Sequence, residues 1–180
     1  MTDIYQTFGI DTDHPKVERV EAETSDYAKY GVDEGDLFFT RSSLVLSGIA
    51  QCNVVRHVKE PTLFECHVMR LRPNRDEVNS DFLAMYAQSH TARLFLMRQA
   101  KHVTMTTISQ PDLIILPVPV PSLGEQQQIA NRVLAVEAQW RREAGLLEKF
   151  RQQKSGLMQD LLTGKVRVKV DEAEVACAHA

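Results

Sequence analysis

The amino-acid sequence predicts an α+β (mixed α/β) globular domain followed by one long α-helix that forms a coiled coil with a partner helix. Three observations predict it. Short apolar runs bounded by turn residues come early, at 37–40, 49–55 and 66–71. Helical patterns are inserted behind them, an order that builds α+β or mixed α/β domains. Residues 123–162 then run without proline and with only isolated glycines, Gly124, Gly145 and Gly156. Within them Ile129, Val133, Val136, Trp140, Leu147, Phe150, Leu157 and Leu161 recur at alternating spacings of four and three, the period of a coiled-coil seam. The expected organisation is a globular domain over 1–118, a helical region over 119–164 and a tail over 165–180.

Taken in order, residues 1–35 are acidic and weakly periodic. Asp11, Asp13, His14 and Pro15 mark a turn, and residues 17–32 hold a short helix ending near Gly31. Leu37–Thr40 reads as a short buried strand, followed by a polar loop through Arg41, Ser42 and Ser43. Residues 49–55 and 66–71 read as second and third strands, with Pro61 and Pro73 in the turns. Ser80 caps a helix carrying Phe82, Leu83 and Tyr86; Ser89 or Thr91 caps a second with Leu94, Phe95 and Met97. The threonine-rich run 101–110 leads to a strand at 113–116, with Asp112 capping its start.

The long helix is bounded at both ends. Ser122 and Glu125 form the S-x-x-E capping box, and Gly164 stands where a left-handed residue closes a helix. Forty residues make a rod of roughly 60 Å, too long for its stripe to be covered by one small domain. Glu143 and Lys154 fall on the same seam and are expected to fix register at some cost in stability. The tail begins as an alternating strand-like run and becomes alanine-rich.

Composition narrows the class. With 180 residues and 43% hydrophobic content the chain can bury a real core. It has no run of 18 or more apolar residues and its N-terminus lacks signal-peptide character, so a cytoplasmic protein is expected. Cys52, Cys66 and Cys177 are an odd set without framework spacing, which suits reduced thiols. Net charge is −3 but uneven: residues 1–36 hold ten acids and three bases, residues 37–110 nine bases and five acids, and the remainder nine of each. The positive field is confined to the middle of the globular part.

A family resemblance is carried by the ends of the helix. Pro119-x-Pro121, then Glu125, Gln126, Ile129 and Ala130, a long heptad helix, and the closing Leu161 through Lys165 resemble the helical region of DNA specificity subunits of type I restriction–modification systems. The upstream segment GDLFFTRSS, residues 35–43, resembles the strand and loop of that family's target recognition domain. The match runs from about residue 30 to 168. Family members begin earlier, with a strand and a glycine-containing loop, so an N-terminally incomplete recognition domain is expected, in a half or truncated subunit.

The resemblance implies a non-catalytic, sequence-specific DNA-binding subunit of a restriction endonuclease and adenine methyltransferase complex. It would read one half of a bipartite double-stranded target and dock methyltransferase (modification) subunits, and through them the restriction/translocase subunits. S-adenosylmethionine, ATP and magnesium would belong to those partners, and this chain would bind no cofactor. The helix would pair antiparallel with a counterpart on a second half-subunit or a companion chain, as a spacer between recognition domains.

The candidate DNA-binding residues fall in two clusters. Arg41 lies between Thr40 and Ser42, where a guanidinium can fork onto guanine O6 and N7, and Ser42 and Ser43 can donate to phosphates. Arg98, Lys101, His102, Thr104, Thr106 and Thr107 follow a helix. The plain alternative for each is a surface residue making local bonds. Cys52, His57, Cys66 and His67 lack zinc spacing, and neighbours in a strand point to opposite faces, so a core cysteine and surface histidines are the better reading. Pro111-Asp112 has no E-x-K in a following strand to complete a nuclease, and no S-adenosylmethionine, adenine or phosphate-loop signature is present. Two rivals stay open at this stage: a coiled-coil assembly or adaptor protein without DNA specificity, and a degenerate remnant of a specificity subunit.

Overall fold

The computed structural model describes residues 2–5, 8–13, 17–102 and 104–168. It is mixed α/β, with two small sheets and a long C-terminal helix. The chain divides into two compact units, residues 1–131 and 132–180.

The first unit opens on a 3₁₀ turn, Thr2–Tyr5, and a short strand β1, Ile10–Asp11. A short helix α1, Thr24–Tyr30, ends at Gly31, where the sequence places it. Strand β2, Leu37–Thr40, is buried along its whole length. The extended chain continues through Arg41 into β3, Ser42–Ser43. A 3₁₀ turn at Leu46–Gly48 leads to β4, Cys52–His57, and then to β5, Val68–Leu71. Helices α2, Ser80–Gln88, and α3, His90–Gln99, follow. A hairpin of β6, Lys101–His102, and β7, Thr106–Thr107, precedes a five-residue helix α4, Gln110–Ile114. The long helix α5 is Leu123–Leu162.

The larger sheet has the order β1-β4-β2-β5, with β1 parallel to β4 and the other pairs antiparallel. Strand periodicity sorts the apolar run of β2 onto both faces. Leu37 and Phe39 join Cys52, Val54 and Met69 against Ala84, Ala87 and Leu96 of α2 and α3. Phe38 points the other way, into a second cluster with Ile4, Val32, Val55 and Val68. Burial on two faces is why β2 reads as a continuous apolar run rather than an alternating one. The enclosed Cys52 thiol is pushed well above its ordinary pKa by desolvation and stays protonated.

Just before β2, Asp36 is buried, and Arg72 donates to both of its carboxylate oxygens at 2.7 and 2.8 Å. That bidentate bond, with Asp36 and Asp33 nearby, raises the Arg72 pKa. Asp36→Ala is expected to lower stability by about 2–3 kcal/mol, below the full effect of breaking a buried pair because the Arg72 side chain is half-exposed. Thermal melting checks this, and an unchanged midpoint would show that the pair contributes nothing net.

Several sequence expectations are corrected. The strand expected at 113–116 is the helix α4 and the chain leaving it. Pro111 sits in the helix's first turn, and Asp112 accepts from both the hydroxyl and the N–H of Ser109. Those bonds hold the Asp112 carboxyl below its usual pKa and nucleate a helix rather than a strand. Residues 49–51 lie outside β4 and residues 66–67 outside β5. The polar loop at 41–43 contains a paired strand, β3. Asn79, not Ser80, caps α2, accepting from the Phe82 N–H at 2.9 Å, whereas Ser89 caps α3 as expected. The turn residues His14 and Pro15, Cys177 and the tail from residue 169 lie outside the described residues, and residues 165–168 form no strand.

Helix α5 has the limits the sequence predicts. At its end Gly164 is left-handed at φ +74°, the Val166 N–H returns to the Asp160 carbonyl, and Thr163 Oγ1 donates to the Gln159 carbonyl. The Thr163-Gly164-Lys165 ending is therefore a helix-closing turn. No described helix is long and apolar enough to cross a membrane.

Candidate nucleic-acid interface

The second sheet brings the two predicted clusters together. Its order is β3-β7-β6, with Ser42 opposite Thr107, Ser43 opposite Thr106, Lys101 opposite Thr107 and His102 opposite Thr106. Residues 42–43 thus lie in one small sheet with 101–102 and 106–107, some sixty positions away in sequence.

Arg41 marks the passage from the large sheet to the small one. Its N–H donates to the His67 carbonyl at 2.9 Å and its own carbonyl accepts from the Ile108 N–H at 3.1 Å. The backbone is fixed by both sheets while the side chain stays exposed. Ser42 is half-buried with its hydroxyl 3.4 Å from His67 Nδ1. Lys101, His102, Thr104 and Thr107 are exposed, and Arg98 is exposed in the last turn of α3, directly before β6.

Ser43 and Thr106 face inward. Thr106 is fully buried, with its hydroxyl 2.9 Å from His102 Nδ1. Ser43 Oγ accepts from the Val45 N–H at 3.2 Å. These two hydroxyls hold the sheet and its tip in shape, leaving Arg41, Ser42, Arg98, Lys101, His102, Thr104 and Thr107 as the groups that can meet a ligand.

Electrostatics singles out the same surface. Most other cations of the middle region are committed within the fold: Arg56 to Asp81, Lys59 to Asp13, Arg72 to Asp36 and Asp33, and Arg70 to the Gly31 carbonyl and the Phe64 ring. Arg41 and Arg98 have no ion-pair partner among the described residues. An exposed guanidinium on a backbone fixed at both ends suits bidentate recognition of a phosphate or a guanine edge.

The sequence reading missed the segment that joins β3 to β4. Leu44, Val45 and Leu46 stand in solvent at 80%, 60% and 52% exposure. Their base is tied from below. Arg93, buried, donates to the Ser47 carbonyl at 2.8 Å and to the Ile49 carbonyl. Thr40 Oγ1 and the Tyr5 hydroxyl donate to the Gly48 carbonyl at 2.7 and 2.9 Å. A Cβ on Gly48 would lie 2.3 Å from Ser43 Oγ, so a side chain here would have to displace that hydroxyl. Ala50 is left-handed at φ +50°, a costly backbone for a residue with a side chain. A Leu-Val-Leu run set among serines and a glycine was the available signal.

In the turn before β5, the ligand atoms of Glu65, Cys66 and His67 come within 4.8 Å of one another on an exposed turn. The strand argument that kept Cys66 from His67 fails because both precede the strand, and Cys66 is exposed rather than core. Elsewhere in the first unit, a cleft of about 640 Å³ is lined by Arg56, Arg75, Ser80, Asp81, Leu123 and Gln127 among others. It is crossed by the Arg56–Asp81 pair and an Asn79–Gln127 amide bond, and it takes in none of the predicted DNA-contacting residues.

The N-terminal turns of α5 belong to the first unit. Gln126 is fully buried: its Oε1 accepts from the Asn79 N–H at 2.8 Å, and its Nε2 donates to the Pro121 and Glu77 carbonyls at 2.8 and 3.1 Å. Ala130, one turn on, is also fully buried. Beyond it the seam is open, its apolar side chains ranging from 41% exposed at Leu161 to 68% at Val136.

The family model for the type I restriction modification DNA specificity domain matches residues 6–150. The specificity subunit of the type I restriction enzyme MjaVIII of Methanocaldococcus jannaschii is 23% identical over 143 residues. Those residues are 79% of this chain and 34% of that protein, so the chain spans about a third of the length of the curated relative it matches.

Proposed function

The chain belongs to the family of type I restriction modification DNA specificity domains, and on that premise we propose that it is a non-catalytic, sequence-specific DNA-binding subunit. It reads one half of a bipartite duplex target and docks methyltransferase subunits, through which restriction/translocase subunits join. S-adenosylmethionine, ATP and magnesium serve those partners. The observation that carries the DNA-reading part is the small sheet, whose exposed cations and hydroxyls come from two distant segments and face the same neighbours.

Direct readout in a groove selects the bases. Arg41 forks onto a guanine, Ser42, Lys101 and Thr104 position the backbone, and the apolar tip at 44–46 suits contact with thymine methyl groups. Helix α5 pairs antiparallel with a counterpart helix, since eight apolar seam positions need cover. The uncovered seam alone would equally suit an assembly protein, so the DNA experiment decides.

The test is co-purification with a cognate methyltransferase subunit, then selection from randomised duplex DNA by the complex. A split motif with a fixed gap is the expected result. A complex that retains DNA without selecting a sequence would refute half-target recognition, and no complex at all would refute methyltransferase docking. Arg41→Ala is expected to weaken binding to the selected duplex by about 1–3 kcal/mol, with a smaller loss on random DNA. Equal losses on both, measured by fluorescence anisotropy, would make Arg41 a phosphate contact.

A further inference from the structure

Four apolar side chains of the first unit stand in solvent at one end of the small sheet. Leu44, Val45 and Leu46 follow β3 directly, and Met105 sits in the turn between β6 and β7. Ser43 and Thr106 are the last paired residues of β3 and β7, so Leu44 and Met105 come one position beyond them at the same edge. Cations and hydroxyls border this apolar end. Arg41 and Ser42 lead into it on one strand, and Lys101, His102 and Thr104 belong to the hairpin. We infer that the tip at 44–46, backed by Met105, is a wedge that enters the duplex beside the base read by Arg41 and parts a pyrimidine–purine step. The inference rests on the DNA reading proposed above and adds a deformation of the DNA to it.

Charge, stiffness and reach all favour this occupant. An apolar projection bordered by Arg41, Lys101 and His102 is complementary to a surface that is negative at its rim and apolar within, the arrangement of phosphates around stacked bases. A wedge also needs a base that does not yield, because stacked bases resist being parted. Here the buried Arg93 guanidinium ties the Ser47 and Ile49 carbonyls, and the Thr40 and Tyr5 hydroxyls tie the Gly48 carbonyl. Ala50 closes the turn in a left-handed conformation. A loop that only brushed the groove would not need so much preorganisation. Leu44 lies three residues along an extended chain from Arg41, about 10 Å at ~3.3 Å per residue. With bases stacked ~3.4 Å apart, the parted step falls within about three steps of the guanine. Pyrimidine–purine steps unstack most readily, and a thymine there also offers its methyl group to the leucines, so a TA or TG step is the one entered.

The test uses the complex with the methyltransferase subunit and the duplex it selects. 2-Aminopurine, which brightens when it unstacks, replaces the adenine of each TA or TG step near the guanine in turn. The adenine that the complex methylates is left unlabelled, so that its own displacement does not enter the signal. The wild type is expected to raise emission several-fold at one step and to shorten the distance between dyes on the duplex ends. Leu44→Ser with Val45→Ser and Leu46→Ser should abolish both signals and weaken binding to the selected duplex at least about 10-fold. Leu44→Met, which keeps an apolar wedge, should retain them. All three side chains are exposed, so circular dichroism should show both variants folded. A mismatch at the step lowers the cost of unstacking, so it should tighten wild-type binding and leave the triple variant unchanged. Silent aminopurine at every step with an unbent duplex, selection being intact, would overturn the wedge alone. If uracil in place of thymine weakened the wild type as much as the triple substitution does, the tip would be a methyl contact and no wedge. Loss of methyltransferase capture by the triple variant would make the tip a protein-docking surface instead. Failure of the wild-type complex to select any sequence would sink the DNA reading and the wedge with it.

Discussion

Gln126→Leu is expected to lower the stability of the globular unit by about 3 kcal/mol. The side chain is fully buried and its amide is fully used, accepting from Asn79 N–H and donating to the carbonyls of Glu77 and Pro121. Leucine fills nearly the same space but leaves one donor and two acceptors without a partner, at roughly 1–3 kcal/mol for each group that water cannot reach. All three bonds are only part-buried, which holds the total at the low end of the sum over the three groups, about 3 kcal/mol. Gln126→Glu separates bonding from packing. Its carboxylate can still accept from Asn79 but cannot donate to either carbonyl, so it should be almost as damaging at neutral pH. Urea denaturation reads both variants. A loss under about 1 kcal/mol for Gln126→Leu would show that water replaces the amide and that the clip is dispensable.

The same residue illustrates what the sequence could and could not reveal. Periodicity made α5 legible to its last residue, because helix limits depend on local signals: a serine cap, an unbroken run and a glycine placed to turn left-handed. The family resemblance marked Gln126 as part of a motif, but not as a buried bracket reaching back to 77–79, since that contact spans nearly fifty residues. Strand β2 was legible for the complementary reason, three consecutive apolar residues and a threonine enclosed on two faces. At 113–116 the apolar run suggested a strand, yet four residues are too few for periodicity to decide, and the Ser109–Asp112 bonds chose a helix over 110–114.

The candidate interface was half legible. Both clusters could be picked out by residue type, but their pairing in one sheet is a tertiary fact carried by β7 lying between them. Type alone also treated all hydroxyls alike. Register and alternation turn Ser43 and Thr106 inward and leave Ser42 and Thr107 at the surface. Arg93 was invisible for the same reason. An arginine in an amphipathic helix is normally solvated, and only the fold shows this one buried beneath the loop it holds.

Removing that arginine should have an effect comparable to the loss of Gln126, with a different signature. Arg93→Ala is expected to destabilise the globular unit by about 3–4 kcal/mol, from two lost charge-assisted bonds to the Ser47 and Ile49 carbonyls and the void left by the side chain. Desolvation lowers the Arg93 pKa, opposed by the nearby Cys52 and Tyr5, so burying this cation already has a cost that truncation relieves. The bonds outweigh that relief because the Ile49 carbonyl is buried and has no water to turn to. Arg93→Lys retains the charge but cannot fork onto two carbonyls, and an intermediate loss of about 1–2 kcal/mol is expected. Denaturation measures the stability, while amide hydrogen exchange at Val45, Gly48 and Ile49 measures the loop directly. Exchange should accelerate in Arg93→Ala at these amides more than at β2, because the guanidinium anchors the base of the exposed tip whereas β2 is held by strands on both sides. Uniform acceleration across the domain would mean that Arg93 supports the core as a whole and that Thr40 and Tyr5 alone shape the tip.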